Sequence, residues 1–445
     1  MAGRLDSDSL LLLNDALARL EQGFIHLPDH AARTGDAAAL RDSLLAAADR
    51  LRDNYPYFHP HYAGQMLKPP HAVARLAYAL AMWINPNNHA LDGGRASSAM
   101  EKEAVADIAR MFGWEAHLGH LTSGGTMANL EALWIAGELK PGATVLASSQ
   151  AHYTHSRISA VLKLPFEGIR ADDRGRMDLT ALERRLKTGG VGTVVATLGT
   201  TATGSVDPLP EILALRDAYG FRLHADCAYG GYYTLAGTLD APARAAFDHL
   251  RDVDSLVIDP HKHGLQPYGC GCVLFRDPAV GSHYRHDSPY TYFSSDELHL
   301  GEISLECSRP GAAAVALWTT QRLLPLVRGG EFAHMLDDCR AAALALHALL
   351  AEDARFIPAF PPELDIVVFA VRAKTAAESS RRAAEIFARA EGAGLFLALA
   401  ELPAAFFGDP WDAGGTVTAL RSVLMKPEHR DTVPEIARLL SAITA

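Results

Sequence analysis

The stretch Ser255-Leu-Val-Ile-Asp-Pro-His-Lys-His-Gly264 constrains this chain more than any other. Ser255 to Ile258 reads as a short strand buried in a largely parallel sheet, and Pro260 then breaks the chain into a polar cluster that contains Lys262. A lysine therefore sits where a strand ends. Open α/β sheets bind ligands at the carboxyl ends of their strands, and an amine held partly out of water there suits Schiff-base chemistry. The plain alternative is a surface lysine following a strand.

Two further stretches bear on that choice. Phe221-Arg-Leu-His-Ala-Asp226 is a second strand-like run, and it closes on an acid just before Cys227-Ala-Tyr-Gly-Gly231. A buried carboxylate without a partner is costly, so a cation is expected to face Asp226, either Lys262 or a protonated pyridine nitrogen. Leu121-Thr-Ser-Gly-Gly-Thr-Met-Ala-Asn-Leu-Glu-Ala-Leu133 runs from a glycine turn into a helix, whose first N–H groups and dipole favour an anion. It lacks the Gly-Lys-Ser/Thr of a nucleotide-binding loop, which argues against ATP. Taken together, anion cradle, acid and lysine outline a phosphorylated cofactor that ends in a Schiff base.

Ser123-Gly-Gly-Thr-Met-Ala-Asn129, His224-Ala-Asp-Cys-Ala-Tyr-Gly-Gly231 and Asp259-Pro-His-Lys-His-Gly264 resemble the motifs of group II pyridoxal-phosphate-dependent amino acid decarboxylases, over roughly residues 50 to 325. The resemblance implies an α/β chain of fold type I, the aspartate aminotransferase type. It would have a mostly parallel seven-stranded-type sheet flanked by helices and a smaller α+β C-terminal domain. The alternation of strands and helices from Gly119 onward independently predicts a doubly wound sheet. The expected domains are an N-terminal helical segment (1–60), a large cofactor-binding domain (61–325) and a small domain (326–445), with a hinge near 325–330.

The resemblance also implies roles. Lys262 would carry pyridoxal 5'-phosphate, Asp226 would face its ring nitrogen, and His152 would stack on the ring, with His155 as the weaker candidate. Ala228 would touch the other face, Gly125, Thr126 and His261 would hold the phosphate, and Thr201 matches a cofactor-site threonine. Tyr290 and Tyr292 fall where the family has a mobile loop that supplies a proton-donating tyrosine, although packing explains them equally well. Arg309, in Ser-Arg-Pro-Gly311, would pin a phosphate or a substrate carboxylate, or else form a surface ion pair. That segment looks closer to archaeal-type tyrosine/aspartate decarboxylases and sphingosine-phosphate lyases than to the animal aromatic enzymes.

The loop 54–66 is dense in aromatic rings and histidine, with prolines that forbid a helix. By resemblance it lines the substrate pocket through His59, His61, Tyr62 and Gln65; a packed surface turn is the other reading. Amphipathic helices are expected over 9–20 and 37–51; in the family such helices pack across a dimer partner, and packing on the chain's own core is the other reading. Another helix is expected over 98–112, capped at Ser97 or Ser98.

A net charge of -11 argues against nucleic acid or anionic membranes as partners. No apolar run is long enough to span a bilayer, and the first residues lack the apolar segment of a signal peptide, so a cytoplasmic location is expected. Five cysteines in 445 residues make no disulfide framework, and no metal-ligand spacing is present, so no metal is expected. The expected activity is decarboxylation of an L-amino acid by a homodimer with active sites at the subunit interface. The alternatives are a carbon–carbon lyase, an aldehyde synthase or an aminotransferase on the same fold, or a non-catalytic relative of it.

Overall fold

The computed structural model of the chain describes residues 9–28, 35–285, 298–408, 410–411 and 414–444. Seven strands build the main sheet: β1 (Leu118–Thr122), β2 (Thr144–Ser148), β3 (Phe166–Ile169), β4 (Val191–Thr197), β5 (Arg222–Asp226), β6 (Ser255–Ile258) and β7 (Gly271–Phe275). Their order is β1-β7-β6-β5-β4-β2-β3. β3, β2, β4, β5 and β6 pair in parallel, whereas β7 runs antiparallel to both β6 and β1. Two antiparallel steps restore the direction, so β1 points the same way as β6. The carboxyl ends of β1, β2, β4, β5 and β6 therefore open on one edge of the sheet, where ligands of such sheets bind.

The central strands have no polar face to show. Every residue of β6 and β7 is buried, as are six of the seven in β4. Such strands require cover on both sides, which the flanking helices supply. A second, antiparallel sheet holds β8 (Phe356–Pro358), β9 (Ile366–Val371), β10 (Ala398–Pro403) and β11 (Thr416–Val423) in the order β10-β11-β9-β8. The helices Glu331–Glu352, Ala376–Gly392 and His429–Thr444 pack on it around Leu346, Phe369, Ile386 and Leu420.

The helix expected over 98–112 starts earlier and spans Leu91–Met111, with a break at Gly94. Ser97 caps nothing; its hydroxyl instead bonds Asn88 Oδ1 at 2.5 Å. The helices Leu10–Glu21 and Ala37–Leu51 form as expected. Among the described residues the second of them buries none.

Candidate active site

At the shared strand edge lies a cavity of about 300 Å³, bounded by the loops after β1, β2, β4, β5 and β6. Asp226 closes β5 and is 4% exposed. Its Oδ1 accepts the N–H of Ala228 at 3.1 Å, and its Oδ2 lies 2.8 Å from Nε2 of His155. Burial alone pushes the Asp226 pKa up. The hydrogen bond and charge of His155, the Ala228 N–H and the nearby Lys262 outweigh it, so the carboxyl is held well below its ordinary range. An ionised carboxylate only accepts, so Nε2 of His155 carries the hydrogen.

Lys262 is not the salt-bridge partner of Asp226. Its Nζ lies 3.1 Å from Oδ2 of Asp259, and Nε2 of His261 approaches the same oxygen at 3.5 Å. Asp259 in turn lies against the start of the helix Gly125–Leu139. A Cβ on Gly125 would come within 2.7 Å of Asp259 Oδ2, so a larger residue there would push this carboxylate aside. The N–H of Ser123 donates to Glu306 Oε2 at 2.9 Å. Those of Gly125, Thr126 and Met127 open the helix with no acceptor four residues back, at the positive end of its dipole and on the cavity wall.

His152 and Ala228 both line the same cavity as the acid and the amine. Burial lowers the pKa of His152, leaving its ring neutral near pH 7, and its Nδ1 accepts the Thr154 N–H at 3.2 Å. Burial lowers that of His261 likewise, and its ring packs on Tyr268 with centroids 4.8 Å apart. Thr201 is exposed at the cavity mouth. An anion cradle, a slot beside an imidazole, an ionised acid and a primary amine together fit a phosphorylated pyridine aldehyde. The fit rests on the glycine-floored cradle and on the chemistry of these donors.

Other expected residues are placed elsewhere. Tyr62 is buried among Tyr55, Tyr57 and Phe396, and Gln65 Oε1 accepts from Arg421 at 3.0 Å; both line a separate concavity. The rings of His59 and His61 pack on one another at 4.5 Å, and neither lines the cofactor cavity. Arg309 makes no surface ion pair and no anion fork: its Nη1 is spent on Glu101 at 3.1 Å and the Leu121 carbonyl at 2.7 Å, 6% exposed behind β1. Tyr290 and Tyr292 lie outside the described residues.

Sequence reasoning gave no role to Asp259, Asn129 or His224, all within the quoted motifs, and offered His155 only as a second stacking candidate. His224 is fully buried and bridges two elements. Its Nδ1 is 2.9 Å from Ser255 Oγ, its Nε2 is 3.0 Å from Asn129 Oδ1, and Asn129 Nδ2 donates to the Gly125 carbonyl at 2.9 Å. This relay ties the anion cradle to β5 and β6.

Comparison with known proteins gives a consistent picture. The family described as "Pyridoxal-dependent decarboxylase conserved domain" matches residues 134–372. The chain is 28% identical to an L-tyrosine decarboxylase of Enterococcus faecium, over 66% of this chain and 65% of that protein. It is 31% identical to an L-2,4-diaminobutyrate decarboxylase of Rhizobium meliloti, over 67% and 62%. It thus spans less than two thirds of either relative. The fold matches the crystal structure of Oryza sativa TDC with PLP and tryptamine at a TM-score of 0.78, with 18% identity over 98% of this chain and 97% of that one. It also matches the glutamate decarboxylase domain of a Vibrio parahaemolyticus protein at 0.73, with 19% identity over 99% and 97%.

The buried relay gives stability a pH signature. Burial, followed by the neighbouring His155, lowers the His224 pKa to about 3, while an unfolded histidine titrates near 6.5. Between these values the unfolded chain binds a proton that the folded chain refuses. The contribution is therefore complete above about pH 6.5 and falls by about 1.4 kcal/mol for each pH unit on the way down toward 3. Urea unfolding of the cofactor-free chain from pH 7 to 4 should show this slope, and His224→Gln should flatten it by close to one proton. An unchanged slope would contradict a neutral buried His224.

Proposed function

Because this chain belongs to the pyridoxal-dependent decarboxylase family, we propose that it removes the carboxylate of an L-amino acid as carbon dioxide and releases the amine. The observation that carries the reading is the ionised Asp226, braced by His155 in the same cavity as Lys262. Pyridoxal phosphate supplies an aldehyde that captures the substrate amine and a ring that stores the electron pair left by the departing carboxylate, provided its nitrogen stays protonated.

The chain's own residues divide the remaining work. Lys262 provides the anchoring amine, and Asp259 holds it in place. Asp226 holds a proton on the ring nitrogen, and every tenfold gain in that proton's affinity corresponds to about 1.4 kcal/mol of attraction. His152 and Ala228 would border the ring, Gly125, Thr126 and His261 would hold the phosphate, and Thr201 would border the mouth. Tyr290 or Tyr292 returns a proton to the product carbon. The names of the relatives cover aromatic, acidic and basic amino acids, so the substrate proposed is an amino acid of one of these classes.

We also propose that two copies pair. Leu40, Leu44, Leu45 and Leu51 on the helix Ala37–Leu51 are 50–66% exposed, and Leu11 on the first helix is 70% exposed. Exposed leucines gathered on a helix none of whose described residues is buried are the kind of apolar surface that marks an interface. Among the described residues no helix is long and apolar enough to cross a membrane.

With pyridoxal phosphate added, a panel of L-amino acids assayed for carbon dioxide and amine should yield both products from at least one substrate. Lys262→Ala should reduce turnover to background, and Asp226→Asn should lower kcat by roughly 10²–10³-fold, the scale of one lost preorganised charge. Aldehyde, ammonia and peroxide in place of amine would select an oxidative reaction, and no product from any substrate would refute the reading. Sedimentation should give a dimer that Leu40→Glu with Leu44→Glu weakens. A monomeric wild-type chain would refute the pairing.

A further inference from the structure

The segment Glu363-Leu364-Asp365, which leads into β9, reaches from the C-terminal unit to three loops of the cofactor cavity. Asp365 is fully buried. Its Oδ1 accepts the Tyr229 hydroxyl at 2.6 Å, and its Oδ2 lies 3.1 Å from Nε2 of His263. Tyr229 lies three residues beyond Asp226 and lines the cavity itself, while His263 directly follows Lys262. The two rings pack edge to face at 4.8 Å, with Tyr233 on His263 at 5.2 Å.

The neighbouring residues grip the third loop. Glu363 Oε2 accepts the N–H of Val206 at 2.6 Å, in the turn that follows the Thr201 loop. Leu364 packs beside the close contact of Gly199 and Gly230, its Cδ1 3.1 and 3.0 Å from where their Cβ atoms would stand, although backbone atoms of Gly230 and Leu198 stand nearer. The segment is itself fixed, since Arg340 Nε donates to the Glu363 carbonyl at 2.9 Å and the Leu424 N–H to that of Asp365 at 2.9 Å. Burial pushes the Asp365 pKa up, but His263, Tyr229 and Lys68 outweigh it, so a carboxylate faces both loops.

We propose that Asp365 is a positioning residue that latches the Lys262 and Asp226 loops to the C-terminal unit and so sets the separation of the amine and the acid. The latch rests on the functional reading above. It touches neither substrate nor cofactor, and it acts through Tyr229 and His263.

Asp365→Asn keeps the shape and the acceptor for Tyr229 but removes the charge, and Tyr229→Phe removes one hydroxyl only. Both variants should stay folded, with a urea midpoint lowered by no more than the loss of one buried hydrogen bond accounts for. In each, the dissociation constant for pyridoxal phosphate should rise about tenfold, the scale of one lost buried hydrogen bond. The pH at which the bound chromophore changes colour should move, and kcat should fall at constant KM. Asp365→Ala should do all of this and lose more stability than either. Variants that bind the cofactor and titrate as wild type does would overturn the latch, as would losses that only track unfolding. If the wild-type chain itself forms no borohydride-reducible adduct at Lys262, the functional reading falls and takes the latch with it. A wild-type adduct beside unaltered variants sinks the latch alone.

Discussion

A carboxylate kept ionised out of reach of water is the constraint around which this cavity is arranged. Asp226 gives up its hydration at the end of β5, which for an isolated ion costs several kcal/mol. Fixed donors offset that cost: Nε2–H of His155 on one oxygen and the Ala228 N–H on the other. Among the described residues the opposite nitrogen of His155 has no hydrogen-bond partner, so the network on this side ends at that ring. Because these donors are set by the backbone around β2 and β5, the acid is ready before any ligand arrives, which is how preorganised sites avoid reorganisation at the moment of reaction.

The sheet converts that local arrangement into a site. Reversal at β7 returns β1 to the common direction and places the helix Gly125–Leu139 beside the loop that carries Lys262. The contact between Gly125 and Asp259 then links anion cradle to lysine, and the relay Ser255–His224–Asn129 links cradle to acid. Burial keeps His224 neutral, so the relay adds no charge to compete with Asp226. The C-terminal sheet closes the arrangement from below through Asp365 and Glu363.

What could be read in the sequence followed from chemistry carried on short segments. Strand ends, the glycine turn and the lysine are local features, and the parallel sheet follows from apolar runs that alternate with helices. The reversed β7 was not legible, because an all-apolar strand looks the same in either direction. His155 was visible but ambiguous: one helical turn separates it from His152, and only the packing of the helix Thr154–Val161 decides which ring meets Asp226. Arg309 misled for a physical reason. A guanidinium near a helix start suits an anion, yet Glu101, more than two hundred residues earlier, already supplies one. The residues of 54–66 have the polarity of a pocket wall, but Tyr55 and Tyr62 pack on Phe396, Lys426 lies over Tyr62, and His59 packs on His61; the contacts with Phe396 and Lys426 are ones that no local pattern encodes.

The central claim, that Asp226 holds a proton on the ring nitrogen of a group anchored at Lys262, is tested most directly by the ¹⁵N chemical shift of bound pyridoxal phosphate labelled at that nitrogen. The wild-type chain should show a pyridinium shift that persists well above neutral pH and reverts to that of a free pyridine in Asp226→Asn. The same shift in both proteins, or an unprotonated nitrogen in the wild type, would contradict it.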